Sequence, residues 1–151
     1  MSEQLDSIKN ILDEILSVAD FSGTVSVIDR GGEFFIFNIQ TEEAPYLIGQ
    51  GGQNLMALQQ LIRAIVGKKM ADGPRFIVDV NGYQQDRLET LKSLALDFAD
   101  EAKRRGQPKW LSPMNSYERR VVHMALADMP GIVTESEGEG ETRRVVIRPK
   151  E

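Results

Sequence analysis

Apolar residues recur along this chain with two different periods. Leu5, Ile8, Leu12, Ile15 and Ala19 keep three- and four-residue spacing, with Glu3, Asp6 and Asp13 between them, and predict an amphipathic helix over residues 2–19. Residues 23–29 (GTVSVID) and 33–41 (EFFIFNIQT) read as strands, and Arg30-Gly31-Gly32 between them makes a hairpin. The period then returns to helical. Leu55, Leu58, Ile62, Ile65 and Val66 mark a helix that Gly67 and the Lys68-Lys69 pair are expected to close. Residues 75–80 (RFIVDV) form a third strand, ended by Asn81-Gly82. With a short helix ahead of residue 49, the predicted order is helix, strand, strand, short helix, glycine turn, helix, strand.

Residues 83–105 predict a long helix with Leu88, Leu91, Ala95, Phe98 and Ala102 on one face, ending in Lys103-Arg104-Arg105 and Gly106. An extended piece at 108–113 holds the only tryptophan, Trp110, read as core rather than as a stacking platform. A helix over residues 115–128 follows. Asn115 and Glu118 have the spacing of a capping box, and Val121, Val122, Ala125, Leu126 and Met129 form its core-facing arc. Residues 132–136 and 142–148 are two strands around the turn Glu137-Gly138-Glu139-Gly140.

Chemistry enters at Ile48-Gly49-Gln50-Gly51-Gly52. A glycine-rich turn that runs into a helix leaves backbone N–H groups unpaired at the positive end of the helix dipole, and glycines let another backbone approach. Such a turn suits a phosphate. Its middle pair, Gln50-Gly51, carries no cation, so contacts would rest on backbone N–H groups and the Gln50 amide. A second candidate lies in the helix over 115–128. Arg119 and His123 are four residues apart and therefore neighbours; with Ala127 they fall opposite the apolar arc, and Arg120 lies at the edge. Arg144 and Arg148 share one strand face and Arg143 the other, so at most part of that set joins a single patch.

The charge distribution tempers both. The net charge is −5, and residues 1–45 hold nine acids against two bases, whereas residues 46–82 hold four bases against two acids. The long-range field attracts a polyanion weakly, so binding must come from local patches and be steeply salt-dependent.

The order of elements around I-G-x-x-G resembles a type II K-homology (KH) domain. The Arg-x-x-x-His spacing on the first helix of a small domain, followed by a hairpin, is similar to the single-stranded-nucleic-acid-binding domain defined by that motif. Both motifs in this order, with the text PMNSYERRVVHMALADMPGIVTESEGEGETRRVVI, resemble the bacterial Jag, or SpoIIIJ-associated, family across essentially the whole chain. The resemblance implies an α+β protein. A KH domain over 1–82 (α-β-β-α-α-β, a three-stranded sheet with helices on one face) would precede an Arg-x-x-x-His domain over 83–151 with a C-terminal β-hairpin. Many Jag-like proteins have an extra N-terminal domain; this sequence starts with the first KH helix, so nothing of that domain is carried over.

The expected function is a cytoplasmic, bacterial, single-stranded RNA binder acting in post-transcriptional regulation linked to cell elongation, division or envelope homeostasis. The nucleic-acid-binding residues would be Ile48, Gly49, Gln50, Gly51, Gly52, Arg119, Arg120 and His123, with unpaired bases along residues 75–78. A separate small KH protein is an implied partner, and single-stranded DNA an alternative ligand. A protein–protein adaptor docking through the acidic segment 3–43 is the alternative from another class. Catalysis is not expected: one histidine, no cysteine, no carboxylate cluster at metal-ligand spacing, and neither a Walker nor a G-x-S-x-G pattern. No cofactor, small-molecule substrate or membrane insertion is expected either.

Overall fold

A computed structural model describes all 151 residues, which divide into two compact units, Met1–Gln84 and Gln85–Glu151. Both are α+β. No helix is long and apolar enough to cross a membrane.

The first unit runs α1 (Ser2–Val18), β1 (Thr24–Asp29), β2 (Phe34–Gln40), α2 (Ala44–Ile48), α3 (Gln53–Lys69) and β3 (Arg75–Val80). The sheet order is β1-β2-β3, with β1 antiparallel and β3 parallel to β2. Alternation along the strands sends Val25, Phe35, Phe37, Ile39, Phe76, Val78 and Val80 into one core with Ile8, Leu12 and Leu16 of α1 and Leu55, Ile62 and Val66 of α3. Phe37 and Phe76 meet edge to face with centroids 5.7 Å apart. Two helix ends differ from the sequence expectation. Ala19 is exposed because α1 ends at Val18 and the chain reverses at Asp20, whose φ is 61°. Gly67 does not end α3; the helix runs on to Lys69 and leaves through Met70, which is extended.

β3 is an edge strand, and its outer edge is closed by a side chain. Gln59, buried on α3, donates from Nε2 to the Phe76 carbonyl (3.4 Å) and accepts a short hydrogen bond at Oε1 from the Val78 N–H. Its amide stands in for the peptide unit of a missing neighbour strand, which both satisfies buried backbone groups and blocks edge pairing. Asn81, at positive φ, does similar work at the strand end: Oδ1 accepts from the Thr41 N–H (2.9 Å) and Nδ2 donates to the Thr41 carbonyl (2.7 Å).

The second unit comprises nearly all of α4 (Tyr83–Arg105), then β4 (Lys109–Trp110), α5 (Ser116–Leu126), β5 (Ile132–Glu137) and β6 (Arg144–Pro149). Its sheet is antiparallel with order β4-β6-β5. Ala95, Ala99 and Ala102 give α4 a thin side-chain layer where it joins Leu111, Val122, Leu126, Ile132, Val145 and Ile147 in the core. Trp110 is not core. It is 44% exposed and donates from Nε1 to Glu137 (3.0 Å), while Leu111 next to it is buried, because in an extended segment neighbours face opposite ways.

Replacing Gln59 with Leu keeps most of the volume but orphans the Val78 N–H. The expected cost is about 1–3 kcal/mol, with faster amide exchange at Val78 than at Phe37. Unchanged exchange at Val78 would show that the edge is not closed by this side chain.

Candidate nucleic-acid interface

The glycine turn is built by packing on both sides. Leu47 of α2 is buried and Ile48 packs partly against the core of the first unit, so α2 is held by its apolar side. Gly49 follows at φ 71°, Gly51 at 62° and Gly52 at 81°. A Cβ at Gly49 would lie 2.6 Å from Asn54 Cγ, and one at Gly52 would lie 3.4 Å from the Tyr83 ring. Asn54 closes the turn by donating from Nδ2 to the Tyr46 carbonyl (2.8 Å). Gly51 has open space around it and Gln50 is exposed. The N-cap of α3 is Gly52, with no side-chain cap and no carboxylate in the first turn, so the positive end of a 17-residue helix carries no anionic side chain of its own.

The second site is positioned by the capping box at the start of α5. Asn115 accepts from the Glu118 N–H (2.9 Å), and the Glu118 carboxylate accepts from the Asn115 N–H (3.3 Å). Glu118 is buried and also takes both Nε and Nη2 of Arg87 on α4. One carboxylate therefore caps α5 and neutralises a cation, which a buried charge requires.

A cleft of about 410 Å³ opens beside α5, lined by Ser116, Arg119, Arg120, His123, Met124 and Ala127 from the helix and by Ser136 and Arg143 from the hairpin. Three guanidinium groups and an imidazole share it with no carboxylate in its lining. Arg119 is half-buried and donates from Nη1 to the Met114 carbonyl (2.7 Å); Arg120 is exposed. Arg143 donates from Nη1 to the Gly138 carbonyl (2.8 Å), which ties it to the turn. Concentrated like charge in a concave, partly desolvated site favours an anion.

His123 sits differently from the solvated face expected of it. Its Nδ1 is 2.7 Å from Thr134 Oγ1 and its Nε2 is 3.0 Å from Ser136 Oγ. β5 lies along the flank of α5, and its alternation turns Thr134 and Ser136 toward the helix while Glu135 and Glu137 face away. Hydroxyls both donate and accept, so either neutral tautomer or the cation can be satisfied. Burial, then the charge of Arg119, holds the imidazole below its ordinary value of 6.5.

Several sequence expectations are corrected. Arg143 belongs to the cleft, because β6 begins only at Arg144 and Arg143 ends the tight turn before it. Arg148, by contrast, is paired with Glu135 (3.4 Å) and Glu137 (2.6 Å). Leu47 and Leu55 are core. The outer edge of residues 75–78, expected to lie along bases, has its Val78 N–H and Phe76 carbonyl engaged by Gln59. Thr134 and Ser136 escape a reading of the sequence; their alternation with Glu135 and Glu137 is the signal that could have found them.

Residues 89–149 match the R-3-H domain family, named for an Arg and a His separated by three residues. The chain is 40% identical over 113 residues to the RNA-binding protein KhpB of Clostridium symbiosum, covering 75% of this chain and 51% of that protein. It is 36% identical over 116 residues to the protein of that name from Bacillus subtilis (76% and 56%). With the one from Lactiplantibacillus plantarum it shares 32% over 143 residues (93% and 44%). The chain thus spans about half the length of the curated relatives it matches.

As the only histidine, His123 gives a single imidazole signal in an NMR titration, and its midpoint is expected below 6.5. Because the folded pKa lies under the unfolded one, the neutral ring's contribution to stability is complete above about pH 6.5 and is lost as pH falls through the folded value. The melting temperature should therefore drop on acidification from neutral pH more in the wild type than in His123→Gln. A midpoint at or above 6.5 would contradict the desolvated position of the ring.

Proposed function

Taking as premise that this chain is KhpB-like and carries an Arg-x-x-x-His family domain across residues 89–149, we propose that it is a bacterial protein that binds single-stranded RNA at two places. The observation that carries the reading is the carboxylate-free cleft of Arg119, Arg120, His123 and Arg143, which lies within that family-matched segment. The name of the relatives, RNA-binding protein, supports RNA as the polymer.

In this reading the first unit is a KH domain. The glycine turn, with Ile48 behind it, seats one stretch of backbone through the N–H groups at Gly49, Gln50, Gly51 and Gly52 and at the start of α3. Arg119, Arg120 and Arg143 hold a second stretch. His123 fixes α5 against β5 through both ring nitrogens and adds charge when protonated. The action is non-covalent, without cofactor or small-molecule substrate. Two weak sites on one chain reinforce each other through effective concentration, which offsets the acidic background. The resemblance to Jag proteins supports a cytoplasmic role in post-transcriptional regulation of cell elongation, division or envelope homeostasis, with a separate small KH protein as partner.

The test is a titration of labelled single-stranded RNA and matched DNA at about 50 and about 200 mM salt, a range over which phosphate contacts declare themselves. Gln50→Asp/Gly51→Asp should weaken binding, and Gln50→Asn/Gly51→Asn should not, since Asn tolerates positive φ as Asp does but adds no charge. Arg143→Ala should weaken binding and flatten the salt dependence by about 0.7–1 in log–log slope. Equal affinity for DNA, lost only in Arg119→Ala/His123→Ala, would make the second unit alone the site and leave RNA unfavoured. Binding of neither polymer would overturn the reading in favour of the adaptor, whose surface would be the acidic groove of α1 formed by Glu3, Asp6 and Glu14.

A further inference from the structure

Tyr46 is the most exposed aromatic side chain of the protein, at 73%, against 44% for Trp110 and 37% for Tyr117. Trp110 spends its N–H on Glu137; the Tyr46 ring and hydroxyl have no partner in the fold. Its position is nevertheless fixed. On one side Leu47 is buried in the core and Ile48 packs against it. On the other, Asn54 binds the Tyr46 carbonyl at 2.8 Å while its Cγ lies 2.6 Å from where a Gly49 Cβ would stand. Tyr46, Asn54 and Gly49 are therefore contiguous, and the ring stands beside the open end of the glycine turn. A large ring left in water on a backbone this well held contributes little to stability, because it buries little surface. It does have the properties of a stacking platform: a flat apolar face, only two side-chain torsions to restrict, and a neighbouring seat for backbone phosphate.

We propose that Tyr46 stacks on the nucleobase adjoining the phosphate seated at residues 49–52, which makes this site read a base face as well as a backbone. The inference rests on the RNA reading above and adds to it a contact that is sensitive to the base and insensitive to its hydrogen-bonding edge. Such stacking is sequence-tolerant, with purines favoured for their larger face.

The experiment is carried out in the full chain with Arg119→Ala/His123→Ala, so that the glycine turn dominates binding. The probes are fluorescein-labelled twelve-nucleotide oligoadenylate and an abasic ribose-phosphate oligomer of the same length. Tyr46→Ala is expected to lose about 5- to 150-fold in affinity for oligoadenylate and Tyr46→Phe no more than about twofold, because the ring face is retained. On the abasic oligomer the Ala variant should equal its parent. Circular dichroism confirms that the exposed substitution leaves the fold intact. Oligoadenylate affinity unchanged in Tyr46→Ala, or an equal loss on the abasic oligomer, would overturn the stacking role while leaving two-site RNA binding standing. Failure of the wild-type chain itself to bind RNA would instead remove the reading on which the inference rests.

Discussion

Positive φ at Gly49, Gly51 and Gly52 is the constraint on which the first unit turns. An L residue at such an angle costs about 1–2 kcal/mol, and at Gly49 a Cβ would also meet Asn54 at 2.6 Å. With glycine there, the chain reverses between α2 and α3 within four residues, and both helices bury their apolar sides: Leu47 in α2, and Leu55, Ile62 and Val66 in α3. The same reversal leaves the first turn of α3 uncapped by any side chain. A feature needed for packing thus produces the anion-facing surface without a single added cation.

The second unit reaches an anion site by another route. Buried Glu118 ties the start of α5 to Asn115 and to Arg87, and the Thr134 and Ser136 hydroxyls tie its middle to β5 through His123. With α5 held at two points, Arg119 and Arg120 stay on the side that faces the hairpin turn, where Arg143 completes the set. The acids of the hairpin are kept away from them by strand alternation: Glu135 and Glu137 lie on the other face and hold Arg148 and the Trp110 N–H. This separation explains how a unit with many acids presents a cleft without a carboxylate.

The net charge of −5 and a local cationic cleft are compatible because screening confines each field to about 8–10 Å at physiological salt. The acids of the first 45 residues weigh on encounter rate. The arginines of the cleft decide whether an anion stays.

The hydrophobic periods in the sequence, by themselves, placed nearly every helix and strand, because burial of an apolar stripe repeats every 3.6 or every 2 residues whatever the surroundings. The glycine turn, the capping box at Asn115 and Glu118, and the Arg119–His123 pair were legible for the same reason: each depends on spacing within one element. Element ends were less so, as Gly67 shows, since a glycine can continue a helix when a following residue, here Met70, makes the exit. What only the tertiary structure decided were contacts between elements distant in sequence. Gln59 reads as one more polar residue on a helix until β3 lies beside it with an open edge. His123 reads as solvated until β5 brings two hydroxyls to its ring. Arg143 reads as a strand residue facing away until the turn before β6 carries it into the cleft. In each case the side chain's role was set by which backbone came to rest against it, and a periodicity along one element carries no record of that neighbour.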